Sequence, residues 1–450
     1  MEQTQRIDPN QIPDPNRTQA MPGGTDPNRT QAMPVGAPTG PPLTLQITQG
    51  RSVTLAHGVS RERVLFELIA TGAMTGGRAP LNLCLVIDKS GSMEGEPLEY
   101  VKRACAYVVD LLTDRDVLSI VTFEEIVEVL MPPRRVLNKE LIKQNIQRLQ
   151  VGNTTNLYDG LSLGLQQLAA GKQPGYLDRL VLFSDGEPTA GIKDFSAITQ
   201  LAGGAKERSI PINALGFGPD YNEELIAGIA RRSGGKYHYI DRPERIPEVF
   251  RDDLEKMMNV VARSPRLELQ LARWVQIRQA FGAEMNLASR TATLSMVDLE
   301  RGARLTPLIE FDFPNHPAGS YRAAKAKLAY VNPVTEAEET ITADLIFEFT
   351  TDAAKASLPE DARVAGEAQV AIASRALEKT IMGMKTHQLN PTMALHELQK
   401  TQQILLQQGR TAEASEIGKA IGDLQRQDMS SVEKTLIGAA LDLEQGKKQE

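Results

Sequence analysis

Side chains that bear oxygen follow directly after an apolar run in the first third of the chain. The run 83–87 ends in Asp88, and Ser90 and Ser92 follow at alternate positions around Gly91. A carboxylate and two hydroxyls are donors of the kind that hard cations such as Mg²⁺ choose, and glycine lets the backbone turn tightly around them. The spacing predicts a cradle for a divalent cation. For this motif alone, a strand-to-helix turn with a capping serine is the alternative.

One loop cannot complete the near-octahedral shell of Mg²⁺, so further oxygens must come from elsewhere in the chain. Two candidates stand at the ends of other predicted elements. Thr155 lies in the stretch between Gly152 and Gly160, and Asp185 closes the apolar strand 180–184. On the residues alone, Thr154 is an alternative to Thr155.

Taken together, the three segments resemble a known family. The pattern Asp-x-Ser-x-Ser, then Thr before Asn in a Gly-containing loop, then Ser-Asp-Gly after an apolar strand is similar to the metal-ion-dependent adhesion site of the von Willebrand factor A (vWA) domain. The resemblance covers about residues 78–258, and the arrangement of the chain is similar to the bacterial type related to inter-alpha-trypsin inhibitor heavy chains. It favours Thr155 over Thr154. The metal ligands that it implies are Asp88, Ser90, Ser92, Thr155 and Asp185.

The resemblance implies a function in binding rather than in catalysis. In this family Mg²⁺, Mn²⁺ or Ca²⁺ keeps one open position, which an Asp or Glu carboxylate of a partner protein fills. The residues agree with a non-enzymatic role, because the chain has no Walker A loop, no Gly-x-Ser-x-Gly elbow and no Cys beside a base. The alternatives are a structural subunit in which the metal serves stability only, and a metal-assisted hydrolase.

The elements that must position these residues alternate between strand and helix, as a doubly wound, Rossmann-like α/β domain requires. Asp88 and Asp185 then fall beyond the carboxyl ends of two strands, where open sheets bind their ligands. In relatives of the vWA domain a terminal helix shifts between affinity states, and here that helix is the one at 244–261. The other predicted helices are near 98–112, 139–149, 158–169, 195–207 and 222–232, and the predicted strands cover 80–87, 117–123, 180–184, 210–215 and 237–240.

Segments on both sides of this domain have the period-two pattern of strands. Residues 43–77 precede it and 259–352 follow it, so the simplest arrangement is one antiparallel β-sandwich into which the vWA domain, 78–258, is inserted. Helix formers dominate from Pro359 onward, and residues 359–446 are predicted to form a small helical bundle. We expect residues 445–450 to fray.

Residues 1–42 are rich in Pro, Gly, Asn and Gln, so we expect a disordered tail. The tail contains the sequence Asp-Pro-Asn-Arg-Thr-Gln-Ala-Met-Pro twice without change, at 14–22 and 26–34. Thr18 and Thr30 in these repeats resemble phosphoacceptors of bacterial Ser/Thr kinases, which forkhead-associated domains bind. Phosphate would add about two negative charges at each site. A recently duplicated spacer explains the repeat equally well.

Composition and termini narrow the classes of partner and compartment. The 450 residues carry a formal net charge of −7, which argues against nucleic acid, because phosphate binding needs clustered Lys and Arg. The N-terminus lacks the pattern of a signal peptide, and no apolar run reaches the ~20 residues of a membrane span, so we expect a cytoplasmic protein. The two cysteines, Cys84 and Cys105, are expected to be free and buried.

Overall fold

The computed structural model describes residues 43–70, 78–185, 187–217, 222–240, 251 and 254–449. The repeat-bearing tail with Thr18 and Thr30, and most of the helix predicted at 244–261, lie outside the described residues. The end of that predicted helix is wrong. Residues 254–258 are helical, but Val260 begins a strand and pairs with Glu300, and β-branched valines favour such a pairing over a further helical turn.

Strands and helices follow one another along the described residues. The strands are β1 (Thr44–Gln49), β2 (Val53–Leu55), β3 (Ser60–Ile69), β4 (Leu81–Asp88), β5 (Val117–Phe123), β6 (Val127–Arg135), β7 (Leu177–Ser184), β8 (Ile212–Phe217), β9 (Tyr237–Ile240), β10 (Val260–Leu271), β11 (Gln276–Phe281), β12 (Glu284–Ala288), β13 (Thr291–Ser295), β14 (Leu299–Glu300), β15 (Ala303–Leu305), β16 (Leu308–Phe313), β17 (Gly319–Val331), β18 (Glu338–Thr350) and β19 (Lys447–Gln449). The helices are α1 (Glu96–Leu111), α2 (Lys139–Gln147), α3 (Leu157–Ala170), α4 (Phe195–Glu207), α5 (Glu223–Ser233), α6 (Ala353–Ala356), α7 (Ala362–Lys385), α8 (Pro391–Gln407), α9 (Thr411–Gln425) and α10 (Met429–Glu444).

The α/β part is built on a sheet with the order β6-β5-β4-β7-β8-β9. Strands β5, β4, β7, β8 and β9 pair in parallel, and β4 is buried along its whole length. Its alternating side chains enter two cores: Leu83 and Leu85 pack with residues of α1 and α2, whereas Cys84 and Val86 pack with residues of α3, α4 and α5. The described part therefore has the predicted doubly wound, Rossmann-like α/β fold. Cys84 and Cys105 are free and buried, as expected.

Strand β6 is absent from the prediction and extends this sheet at one edge. It pairs with β5 in antiparallel orientation, because the connection of residues 124–126 is too short for the crossover that a parallel pair needs. The sequence signal is weak because Pro132 and Pro133 lie inside the strand, and proline is confined to edge strands and bulges. The edge position explains why both prolines are tolerated.

Strands from both sides of the α/β part form two further sheets. One has the order β11-β16-β3-β15-β19 with β1 paired to β3, and the other has the order β12-β13-β10-β17-β18-β2 with β14 paired to β10. Their inner faces share one apolar core, in which the Phe313 and Phe347 ring centroids lie 4.7 Å apart. Not every pair is antiparallel: β2 runs parallel to β18. These strands are far apart in sequence, so no tight turn dictates their direction.

The C-terminal helices pack on both other parts of the molecule. Val364 of α7 contacts Leu65 and Leu308 on the outer side of the first sheet, and Leu441 of α10 belongs to the core around Tyr237. The expected fraying of residues 445–450 is wrong for Lys447–Gln449, which pair with β15 as strand β19. No helix in the described parts of the chain is long and apolar enough to cross a bilayer.

Candidate metal centre

Three loops meet at the carboxyl end of the central sheet. The first follows β4 and contains Ser90 and Ser92, the second precedes α3, and the third follows β7. Backbone hydrogen bonds join the first two, since Gly91 N donates to Asn153 O (3.2 Å) and Gly152 N donates to Lys89 O (2.6 Å). The five side chains predicted as ligands therefore lie at the end of β4 and on three adjoining loops, because β4 and β7 are neighbouring parallel strands.

The second loop is held from both ends. Thr155 N donates to Thr189 Oγ1 (2.8 Å), and Thr155 O accepts from Thr189 N (3.0 Å). Asn156 then caps α3, with its side chain accepting from Asp159 N. Helix α3 lies very close to the sheet, because a β-carbon at Gly164 would stand only 2.5 Å from Cγ2 of Val86. Thr155 is thus fixed by local capping and by the loop that follows Asp185.

Asp88 is the most enclosed of the predicted ligands, with no exposed surface. Its Oδ1 accepts from Ser90 N (2.8 Å), and its Oδ2 accepts from Ser184 Oγ (2.6 Å). Ser90 Oγ and Ser92 Oγ lie 3.1 Å apart. The position of Asp88 is therefore set by its own loop and by the end of the neighbouring strand.

Asp185 has one oxygen without a partner. Its Oδ1 is buried and makes no hydrogen bond with any described residue, although its carboxylate interacts with Ser92. Burial, followed by the charge of Asp185, raises the pKa of Asp88 to about 7, although hydrogen bonds from Ser184 and Ser90 act to lower it. Burial also raises the pKa of Asp185, against the hydrogen bond from Ser92. The charge of Asp185 thus acts on a carboxylate that is shielded from water.

These features suit a hard divalent cation. A cation would supply the partner that Asp185 Oδ1 lacks and would offset the repulsion between the two carboxylates. Within the described residues, no three His, Cys, Asp or Glu side chains cluster closely enough to hold a metal, so the remaining oxygens would have to come from hydroxyls and water. Ser90, Ser92 and Thr155 are the predicted hydroxyl ligands on these loops, and the Oγ1 atom of Thr154, on the same loop as Thr155, is buried without a partner as well.

Supporting residues were missed in the sequence. Ser184 donates a hydrogen bond to Asp88, and Thr189 Oγ1 accepts one from the backbone of Thr155. Both residues lie within four positions of Asp185, and this proximity was the signal in the sequence that could have identified them. Lys89 also belongs to the surroundings, where its Nζ lies 3.0 Å from Glu128 Oε1. The partner of Lys89 comes from β6, the strand that the prediction lacked, so no sequence pattern pointed to that pair.

The comparison with known proteins agrees with this architecture. An uncharacterized protein, sll0103, from Synechocystis sp. is 35% identical over 195 residues, which cover 43% of this chain and 46% of that relative. Inter-alpha-trypsin inhibitor heavy chain H1 from Sus scrofa is 25% identical over 259 residues, which cover 53% of this chain and 29% of that relative. The chain thus spans less than half the length of these two curated relatives.

A solved structure extends the likeness beyond the α/β part. A von Willebrand factor type A protein from Catenulispora acidiphila has a TM-score of 0.71 at 17% identity, covering 87% of this chain and 96% of that chain. At this identity the likeness concerns the fold alone. The family model of the von Willebrand factor type A domain matches residues 82–252, the segment that contains β4, β7 and the three loops. This part of the chain is therefore a von Willebrand factor type A domain.

Proposed function

We propose that the protein is a non-enzymatic, divalent-metal-dependent binding module that captures a carboxylate of a partner protein. The cation would be Mg²⁺, with Mn²⁺ or Ca²⁺ as alternatives. Domains of this family typically mediate protein–protein interactions. When bound, the cation would supply a Lewis-acidic position for an Asp or Glu of the partner. The residues that would hold it are Asp88, Ser90, Ser92, Thr155 and Asp185.

One observation carries the proposal: the buried, unpartnered Oδ1 of Asp185 lies in the field of the fully buried Asp88. An unpaired buried oxygen and a like-charged neighbour are both costly, and folded proteins rarely keep either without a reason. Most buried polar atoms in folded proteins have a hydrogen-bond partner, so an unpartnered carboxylate oxygen beside a second carboxylate favours a site that a cation completes. Hydroxyl ligands add no charge, so a divalent cation among these residues would still attract an incoming anion.

The surrounding residues keep this arrangement in place. Ser184 and the backbone N–H of Ser90 fix the two oxygens of Asp88, and Thr189 fixes the backbone of Thr155. Because the loops are joined to each other by hydrogen bonds, the site needs little reorganisation to accept a ligand. A preorganised site loses less free energy to ordering when it binds.

The test measures metal binding and partner binding separately. Isothermal titration calorimetry with MgCl₂ is expected to give one site in the full chain and none after Asp88→Ala, whereas Asp114→Ala, an exposed Asp with no part in the site, should behave as the parent chain. Pull-down from the host is then expected to recover a partner in Mg²⁺ and to lose it in EDTA. Equal recovery in both buffers, or by the Asp88→Ala chain, refutes metal-dependent capture.

The division into domains forms part of the same proposal. We infer that the vWA domain, 78–258, is inserted into a β-sandwich made of 43–77 and 259–352, and that the helical segment 359–446 supports both. The connection includes a buried ion pair, in which Arg179 Nη2 of β7 lies 2.6 Å from Asp298 Oδ2. Limited proteolysis that releases a folded 78–258 fragment from the intact chain, with 43–77 and 259–352 remaining together, would support this division.

The buried Arg179–Asp298 pair also favours a second candidate function, a structural subunit in which the metal serves stability only. In that case Mg²⁺ would raise the melting temperature, but no partner would depend on it. Turnover of a phosphate ester that Asp88→Ala abolishes would instead support the metal-assisted hydrolase.

Regulation through the tail is a separate proposal, since Thr18 and Thr30 lie outside the described residues. The identical repeats around them support it, because each presents the same Arg-Thr-Gln sequence. Mass spectrometry of the protein from its host is expected to find phosphate on one or both threonines. A forkhead-associated domain should then bind the phosphorylated chain and not the Thr18→Ala, Thr30→Ala chain, and unmodified threonines in the host would refute the idea.

A further inference from the structure

Exposed glutamates stand on each of two loops of the metal centre and on the nearby β5–β6 turn. Glu94 and Glu96 follow Ser92, Glu125 lies in the turn between β5 and β6, and Glu187 follows Asp185; all four side chains are exposed. None of the four forms an ion pair with a described residue. Asn222 donates a hydrogen bond to Glu187 Oε2 at 3.3 Å, which leaves the charge uncompensated.

The nearby cations do not balance these charges. Lys89 Nζ lies 3.0 Å from Glu128 and 4.0 Å from Glu124, so its charge is already shared between two carboxylates. Lys193 is exposed and is the remaining lysine of these loops among the described residues. The charge of a divalent cation would be neutralised by the carboxylates of Asp88 and Asp185. A bare anionic ligand approaching the metal would therefore pass a rim of net negative charge.

Apolar side chains flank the loop that contains Thr155. Ile126 is 65% exposed and Ile192 is 44% exposed. The backbone places both beside this loop: Asn156 N donates to the carbonyl of Glu124, two residues before Ile126, and Gly191, next to Ile192, lies against the Asn156 amide. Exposed isoleucines on both sides of a candidate ligand site provide apolar contact area for a partner.

A groove begins at the first loop and follows α1. Its volume is about 770 Å³, and its lining includes Gly95, Glu96, Tyr100, Arg103 and Val151. Glu96 lies at the end near the metal centre, and Arg103 lies seven residues further along α1, a distance of about 10 Å at 1.5 Å per residue. Glu99 and Lys102 also line the groove and pair with each other at 2.8 Å, so the charges left without an ion pair to a described residue change from negative at Glu96 to positive at Arg103.

We propose that the partner's metal-binding Asp or Glu is flanked directly by Lys or Arg, in an extended segment that continues along this groove. Because Arg103 lies about 10 Å further on, and an extended chain advances ~3.3 Å per residue, an acidic residue about three positions beyond the basic one completes the pattern. The basic side chain would face Glu94 and Glu96, and its aliphatic stem would lie along the groove. This inference rests on the proposed function and specifies the partner that the same site selects.

The experiment selects peptides from a displayed library in which a central Asp is flanked by four random residues on each side. The probe is the full chain in MgCl₂, and bound peptides are released with EDTA. We expect Lys or Arg next to the Asp to be enriched about two- to fivefold, the range that corresponds to one exposed ion pair. Replacing the rim charges by Gln should remove this enrichment and retain the Mg²⁺-dependent selection of Asp. The rim variant carries Glu94→Gln, Glu96→Gln, Glu125→Gln and Glu187→Gln.

A control with the same change in net charge separates local from general electrostatics. It replaces four exposed glutamates outside the metal centre and should keep the preference for Lys and Arg. Neutral or acidic flanking residues in the parent selection, or the same basic preference in the rim variant, overturn this inference and leave the proposed function intact. The absence of any peptide that EDTA releases overturns the proposed function itself. The control replacements are Glu255→Gln, Glu338→Gln, Glu348→Gln and Glu378→Gln.

Discussion

Replacing Asp185 by Asn is expected to change stability in opposite directions with and without the cation. In the metal-free chain, burial and then the charge of Asp185 raise the pKa of Asp88 to about 7, so pH 8 favours the charged form of Asp88, which repels the charge of Asp185. The substitution removes one charge and turns an oxygen acceptor into an amide that is able to donate to Asp88. The metal-free protein should therefore become more stable. The same change removes a charged metal ligand, so the response to Mg²⁺ should be lost.

The size of the effect follows from the carboxylate pair. Like charges perturb each other's ionisation within ~4–6 Å, and at an effective dielectric constant near 20 two unit charges at that distance repel by about 3–4 kcal/mol. Asp185 is partly exposed, so screening reduces the expected gain to about 1–2 kcal/mol. For a domain of ~150–250 residues, 1 kcal/mol moves the melting temperature by roughly 2–4 °C. We expect a rise of about 2–8 °C.

The assay is thermal unfolding of the parent chain and of Asp185→Asn, each in EDTA and in a saturating series of MgCl₂ concentrations at pH 8. The parent should gain about 2.7 kcal/mol at a Mg²⁺ concentration of ~100 Kd, whereas the variant should gain nothing. Asp114→Asn serves as the control for the loss of one surface charge. A lower melting temperature of Asp185→Asn in EDTA would refute the electrostatic reasoning. An unchanged Mg²⁺ response would remove Asp185 from the site.

Two further predictions concern elements that support the domain. Gly164→Ala should destabilise the protein by about 1–3 kcal/mol through overpacking, because the new methyl group would lie 2.5 Å from Cγ2 of Val86. The control is Gly203→Ala, whose β-carbon would have no atom within 4 Å and which should stabilise the helix by ~0.5–1 kcal/mol. Similar urea midpoints for the two variants would contradict the packing argument. Burial opposes the charge of Asp116, but hydrogen bonds from Arg78, Leu81 N and Thr113 N outweigh it and hold its pKa below the usual range. This carboxyl group therefore stabilises the fold above its unfolded pKa of ~4, and the stabilisation fades as pH falls through the lower folded pKa. The melting temperature of Arg78→Gln should lie furthest below that of the parent chain near pH 7, and the difference should shrink near pH 3. A difference that stays constant with pH would show that the Arg78–Asp116 pair contributes no pH dependence to stability.

The α/β part was predictable because its signals are local. The helix predicted at 195–207 is α4 with the same bounds, and Asp194 caps it by accepting from Ala197 N. Asn156 and Asn222 cap α3 and α5 in the same way. Strand β6 was missed because Pro132 and Pro133 oppose a strand locally, and only the pairing with β5 at the sheet edge overrides them. Likewise, Lys447–Gln449 carry no strand pattern and become a strand only beside β15.

The sequence alone determined which atoms are available for chemistry. A buried strand followed by one carboxylate and two hydroxyls, with a threonine and a second carboxylate after other elements, predicts a hard-cation site because these residue types and their spacing are local properties. The tertiary structure decided how those atoms are charged and paired. Asp88 and Asp185 are 97 positions apart, and Arg179 and Asp298 are 119 apart. Interactions between charges, buried oxygens without a hydrogen-bond partner and buried ion pairs arise only when folding brings such distant groups into a region that water cannot screen.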